Sequence, residues 1–216
     1  MTRARPKPLA KPRKKTEYHH EDLRRALLDA AIVHLRHGDV TALTMQLLAR
    51  AAGVSPGAPY HHFADKVAVL AALAEEGFAL WLTRAEKAIG RAKAPHAGLG
   101  ALARTWLDFA TSHPSHYRVM FLPDIADRTR FATLHETSGR GLSLLVGLLG
   151  RCVPGASKRE LLGRAVTVWS TLHGFASLKI AGVLGNIPDL PALRALEDAA
   201  VTSVVASVLP SVRAPR

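Results

Sequence analysis

The stretch GVSPGAPYHHFADK, Gly53 to Lys66, reads as a tight turn that feeds a very short helix. Gly53 supplies the left-handed backbone that a sharp helix exit requires, and Val54 is the apolar plug behind it. Ser55 is placed as an N-cap, with Pro56 at the first helical position, where a missing N–H costs nothing. Tyr60, His61 and His62 then present a phenol and two imidazoles that can donate to phosphate oxygens, while Phe63 turns inward to the core. Asp65 caps the next helix and leaves Lys66 beside the same surface. The pattern is that of a helix-turn-helix.

The residues ahead of this stretch fit the same plan. Leu23, Leu27, Ala30, Ala31 and Leu35 fall three or four apart, which predicts one helix with a buried stripe that ends near Gly38-Asp39. Thr44 reads as the cap of a second helix, Met45 to Ala52, in which Leu47, Leu48, Ala51 and Ala52 are apolar or small enough to pack closely. Three short helices result, the third facing outward.

Residues from about Tyr18 to Lys66 resemble the DNA-binding domain of the TetR family of bacterial transcriptional regulators. The resemblance rests on Thr44-x4-Ala49-x3-Gly53-Val54-Ser55 followed by Tyr60-x-His62-Phe63-x2-Lys66. Farther on, Trp169-x3-His173-Gly174 resembles the WHG-type C-terminal domain of a subgroup of that family, and His113-Pro114 with Tyr117, Met120 and Phe121 resembles a run of the same subgroup. Two positions depart from the pattern. Leu47 stands where the family often has Glu or Asp, so no capping box forms with Thr44, and Gln46 stands where Arg is common, so one contact becomes neutral.

Charge is unevenly placed along the chain. Of the formal +12, Arg3, Arg5, Lys7, Lys11, Arg13, Lys14 and Lys15 supply +7 without one acid among residues 1–15. Residues 16–66 carry five Lys/Arg against six Asp/Glu, so the helix-turn-helix unit is close to neutral and attraction to phosphate leans on the tail. Pro6, Pro8 and Pro12 keep the tail from forming a stable helix, which predicts a flexible basic arm over 1–17 that reaches the minor groove or the backbone. The alternative is a solvated terminus that aids solubility.

Length and apolar content, 216 residues at 48% hydrophobic, allow one small and one larger helical domain with a sizeable core. No apolar run approaches the roughly 18 residues of a spanning helix, and Met1-Thr2-Arg3 leads into the proline-broken basic tract rather than a signal-peptide core, so a cytoplasmic protein without membrane attachment is expected. The single Cys152 excludes an internal disulfide framework and reads as an inert thiol.

Beyond Lys66 helical patterning continues without an alternating strand run or an internal repeat. Helices are expected over Val67–Lys87, Leu99–Ser112, Pro114–Phe121, Asp127–Arg151, Leu161–Val183 and Leu190–Leu209, with a looser segment from Gly90 to Gly98. The last two carry apolar residues around much of their circumference: Val166, Trp169, Ala176, Leu178, Ile180 and Ala181 on one, Ala199, Ala200, Val204, Val205 and Val208 on the other. Such a pair suits a four-helix dimer interface, as the resemblance also implies, although a helix buried within its own subunit has the same periodicity.

Eleven histidines invite a metal or catalytic reading, yet no HExxH, CxxC, P-loop or GxSxG spacing occurs, and His34 reads as a core histidine. The expectation is therefore an all-α protein that is not an enzyme and holds neither metal nor cofactor. It has an arm over 1–17, a three-helix DNA-binding domain over 18–66 and a helical effector-binding and dimerisation domain over 67–216. The expected DNA-binding set is Thr44, Gln46, Ser55, Gly57, Ala58, Tyr60, His61, His62 and Lys66. The expected effector-binding set is Trp106, Phe109, Tyr117, Phe121, Phe131, His135, Trp169 and His173, which the resemblance places on helices around a cavity. The implied function is a sequence-specific repressor released by a small-molecule effector, its partners a palindromic double-stranded DNA operator and a second copy of itself. The alternative from another class is an enzyme or carrier site in the C-terminal cavity beside a vestigial helix-turn-helix.

Overall fold

A computed structural model describes residues 19–37 and 39–208. The expected basic arm lies outside the described residues. All regular elements among those described are helical: α1 (His19–His37), α2 (Met45–Ala51), a 3-10 turn (Ala58–His61), α3 (Lys66–Gly90), α4 (Pro95–Ser112), α5 (Pro114–Val119), a second 3-10 turn (Pro123–Ile125), α6 (Ala132–Cys152), α7 (Lys158–Ile180), a third 3-10 turn (Val183–Asn186) and α8 (Leu193–Val208).

Local chemistry sets the ends of the early helices. The Thr44 hydroxyl accepts the Leu47 N–H at 3.1 Å and caps α2, and Asp65 caps α3 by accepting the Ala68 N–H at 2.9 Å. Leu27, Leu28, Ala31 and Leu35 of α1 close over Met45, Leu48 and Phe63, while Ala51, expected to pack, is exposed because it falls on the opposite side of α2.

Helix α3 runs out of this small unit into the rest of the molecule, where it packs against α4, α5 and α6. Helices α7 and α8 lie against each other and against α4. Their ends are joined by ion pairs from Lys179 to the buried Glu197 and from Arg104 on α4 to Asp198.

Three expectations about element boundaries and faces are corrected. Helix α4 begins at Pro95, so Gly98 lies inside it, facing Leu148 rather than loosening the chain. Residues 127–131 are not helical; the Asp127 carboxylate accepts the Thr129 and Arg130 N–H groups and the Thr129 hydroxyl, a side-chain turn that delays α6 to Ala132. Ala176, Val204 and Val208, assigned to a dimer seam, are buried inside the subunit. The free face of α7 instead carries Gly163, Thr167, Ser170 and Gly174, with the exposed Val166 and Leu178 on its edges.

Candidate functional site

The turn after α2 is closed by two backbone hydrogen bonds, Gly53 N–H to Arg50 O at 3.2 Å and Val54 N–H to Ala49 O at 3.0 Å, with Gly53 at φ +68°. This is the pairing in which a left-handed residue just past the helix returns two N–H groups to its last turn. The segment that follows differs from expectation. Ser55 does not cap an α-helix with its side chain; Gly57 holds the cap position, and only a 3-10 turn forms at Ala58–His61. Pro59 explains it. An α-helix begun at Pro56 would need the Pro59 N–H to reach the Ser55 carbonyl, and proline has none, so the Ala58 N–H takes that carbonyl at 3.0 Å instead.

The outcome is a short convex ridge. Ser55, Gly57, Tyr60 and His61 are exposed on it, Ala58 and His62 are half-buried, and Pro59 and Phe63 face the core. Arg24 of α1 lies over the Phe63 ring at 5.3 Å. Gln46 is exposed on α2, whereas the Thr44 hydroxyl is engaged in its cap. Lys66 is half-buried, its ammonium donating to the Val40 carbonyl at 3.4 Å.

A second feature lies some distance along α3. A cavity of about 430 Å³ is enclosed by Phe78 and Trp81 of α3, Leu102 and Trp106 of α4, Met120 and Phe121 after α5, Arg128, residues from His135 to Leu145 of α6, and Val168, Trp169 and Leu172 of α7. The volume is that of an ordinary small-molecule site. Of the expected effector set, Trp106, Phe121, His135 and Trp169 line it. Tyr117 and His173 stand behind Phe121 and line a neighbouring pocket of about 320 Å³. Phe109 and Phe131 line neither. Phe109 is fully buried and stacks on His113, and the Phe131 ring carries Arg130 at 4.8 Å.

The cavity wall is an edge-on aromatic assembly: Trp81 meets Trp106 at 5.0 Å between ring centroids and Phe121 meets His173 at 4.6 Å. The Tyr117 hydroxyl and His173 Nδ1 share a hydrogen bond at 2.8 Å, which ties α5 to α7. Burial pushes the Tyr117 phenol up to about 12 and lowers the His173 imidazole, keeping both neutral.

Short polar links connect the cavity's framework to the helix-turn-helix unit. On α5, the Ser115 hydroxyl donates to the Ile32 carbonyl at 3.0 Å and the Arg118 guanidinium to the Leu35 carbonyl at 3.2 Å, both acceptors on α1. Glu76 of α3 accepts from Arg25 of α1 at 2.7 Å and from His116 of α5 at 3.1 Å. Arg130 donates to the Asp65 cap at 2.6 Å and holds that carboxylate below the usual range.

Comparison with known proteins decides what this arrangement belongs to. The description of bacterial regulatory proteins of the tetR family matches residues 27–73, and that of the tetracyclin repressor-like C-terminal domain matches residues 99–204. The chain belongs to the TetR family. Among solved structures, a protein of unknown function from Rhodococcus sp. RHA1 is 30% identical, with a TM-score of 0.68 over 90% of this chain and 97% of that one. A regulatory protein in the tetR family from Rhodococcus RHA1 is 16% identical, with a TM-score of 0.67 over 88% of this chain and 98% of that one. The transcriptional regulator FadR from Bacillus subtilis, solved in complex with stearoyl-CoA, is 18% identical, with a TM-score of 0.66 over 84% and 97%. The last two likenesses show the shared fold. No curated protein matches the chain in sequence.

This TetR-family chain is thus a DNA-binding transcriptional regulator, and an enzyme beside a vestigial helix-turn-helix is not favoured, because the family match spans the turn itself. Among the described residues no cluster of His, Cys, Asp or Glu could hold a metal ion, and no helix is long and apolar enough to cross a membrane. Sequence reasoning missed Arg128, Phe78 and Trp81 as cavity residues. Phe78 and Trp81 are one turn apart on α3, and aromatic type alone does not separate a cavity wall from core; the Asp127-x-Thr129 pattern was the available signal that Arg128 sits in a turn instead of a helix.

Proposed function

We propose that the chain is a homodimeric, cytoplasmic repressor that grips a palindromic operator with two 3-10 ridges and lets go when a small molecule fills the cavity. One observation carries the reading: Phe78 and Trp81 of the cavity belong to α3, the helix whose capped N-terminus directly follows the ridge. A ligand that favours one placement of α3 and α5 biases where the ridge sits.

On DNA, the exposed Tyr60 and the Lys66 ammonium position the protein on phosphates, with Thr44, Gln46 and His62 at the flanks. Ser55, Gly57, Ala58 and His61 come nearest the bases. Pro56, Gly57, Ala58 and Pro59 bring no side-chain donors, so backbone approach, methyl contacts and DNA shape supply much of the readout. Two subunits meet through the free face of α7, where Gly163 and Gly174 leave open space for a facing helix, together with the small exposed residues Ala199, Ser203 and Ala206 of α8.

A mobility-shift assay with genomic fragments tests this. One discrete fragment retained at moderate salt is expected, and only salt-sensitive smearing would overturn the reading. On the retained fragment, Tyr60→Phe should lower affinity for strong and weak sites alike by about 1.5–3 kcal/mol, the worth of a hydrogen bond to a charged phosphate. A change of base preference at unchanged affinity would remove Tyr60 from the phosphate role.

A further inference from the structure

The residues that line the cavity bring one cation and no carboxylate. Trp81 and Trp106 are 4% and 5% exposed; the Trp81 indole N–H is sealed in the wall without a hydrogen-bond partner, and that of Trp106 is sealed beside the Tyr117 hydroxyl. An indole nitrogen donates and cannot accept. His135 adds a buried Nε2 that is likewise unpartnered, while the Ser138 hydroxyl is already given to the His135 carbonyl at 3.2 Å. Arg128 brings an exposed guanidinium to the rim. No Asp or Glu lines the cavity.

Arg128 is the charged member of that lining, and an anionic oxygen placed against its guanidinium makes a charge-assisted hydrogen bond. An ammonium group would find no carboxylate and would face the Arg128 charge. The remaining wall is aromatic and aliphatic, which favours an apolar body. We propose that the cavity selects an apolar acid, its carboxylate or equivalent anionic oxygen head on Arg128 and its body among the rings, and rejects the amine of the same skeleton. The proposal rests on the reading of this cavity as the effector site, and it adds the class of effector.

The molecule carries its own reporter, since all three tryptophans of the chain, Trp81, Trp106 and Trp169, line the cavity. Full-length protein is titrated with decanoate, decanol and decylamine by tryptophan fluorescence and calorimetry. Decanoate should bind at least about tenfold more tightly than decylamine, with decanol between them, because hydrogen bonds to charged groups are the strong ones. Arg128→Gln, at an exposed position outside the core, should abolish most of the preference for acid over amine, and Arg128→Lys should keep part of it. Equal binding of acid and amine, a preference that survives Arg128→Gln, or no binding of any probe overturns the proposal. Operator release is measured in parallel. Decanoate bound in the expected order with the operator still held would sustain the ligand class and sink release; release by decylamine as readily as by decanoate would sustain release and sink the ligand class.

Discussion

Gly53 and Gly57 lie four residues apart in the same turn, and replacing each with alanine should move stability in opposite directions. At both positions a Cβ would meet nothing within 4 Å, so packing drops out and only backbone conformation decides. Gly53 is at φ +68°, where a Cβ crowds the following carbonyl at a cost of roughly 1–2 kcal/mol, partly offset by the smaller entropy of the unfolded chain; the net loss for Gly53→Ala is about 1 kcal/mol. Gly57 sits at φ −82°, ψ −22°, ordinary right-handed backbone, so Gly57→Ala gains about 0.4–1 kcal/mol from the same unfolded-state term. Urea denaturation at one fixed protein concentration reads the difference without interference from association. In melting temperature each kcal/mol is worth about 2–4 °C for a chain of this size. Operator affinity should then part company with stability: Gly57→Ala, the more stable protein, should bind worse, because its methyl stands where the backbone nears the bases. If both variants lose stability alike, the conformational account of the turn is wrong. If Gly57→Ala binds as wild type does, Gly57 is not the point of closest approach.

The seam on α7 is open to a direct test: Gly174→Arg places a long cation in open space, so the subunit should keep its helical content while running as a monomer in light scattering and losing the palindromic site. Val204→Glu, by contrast, should destabilise the subunit itself by several kcal/mol, since Val204 is 2% exposed within it. Deleting residues 1–15 removes seven cations and should reduce the logarithmic salt slope of operator binding by up to roughly 0.9 per lost phosphate contact, with folding unchanged; an unaltered slope would make the arm a bystander.

Where sequence reading succeeded, the determinants were local. Thr44, Gly53 and Asp65 each act on backbone groups within four residues, so their caps and turn could be read from residue type and spacing. Pro59 shows how narrow the margin is: Pro56 was placed at a helix start where it would do no harm, but the second proline three residues on deletes the first α-helical hydrogen bond, so no helix starts there and only a 3-10 turn forms from Ala58. The dimer seam was misread for a different reason. Helix α8 has apolar residues on more than one side, and which side faces inward depends on α4, whose Gly100 leaves room for Val201 and Val205 to approach. Phe109 and Phe131 failed as cavity residues because an aromatic ring says only that it wants burial, not whether a void lies beside it. Arg128 was hidden because the helix whose apolar positions start at Phe131 was extended back to Asp127, when the Asp127 carboxylate had already claimed the backbone for a turn.

The coupling between cavity and DNA ridge rests on α5, a helix too short to bend. Phe121 just beyond this helix lines both pockets and Tyr117 within it lines the second, while its Ser115 and Arg118 hold carbonyls of α1 and its His116 holds Glu76. Gly77 of α3 lets the two helices touch so closely that a Cβ there would lie 2.9 Å from Met120 Sδ and 3.1 Å from His116 Cβ. A ligand that displaces Phe121 therefore has no soft element to absorb the motion, and the strain passes to the α1 carbonyls and to α3. The Asp127 turn offers a parallel route, since one short segment presents Arg128 to the cavity and Arg130 to the cap of α3. An anionic head drawn against Arg128 acts on the same turn that grips Asp65. On the proposed reading, then, the ligand's body works through α5 and its head through the Asp127 turn, and both routes end at the helix that carries the ridge. A molecule that fills the cavity without favouring one arrangement of these elements would bind and leave the operator occupied.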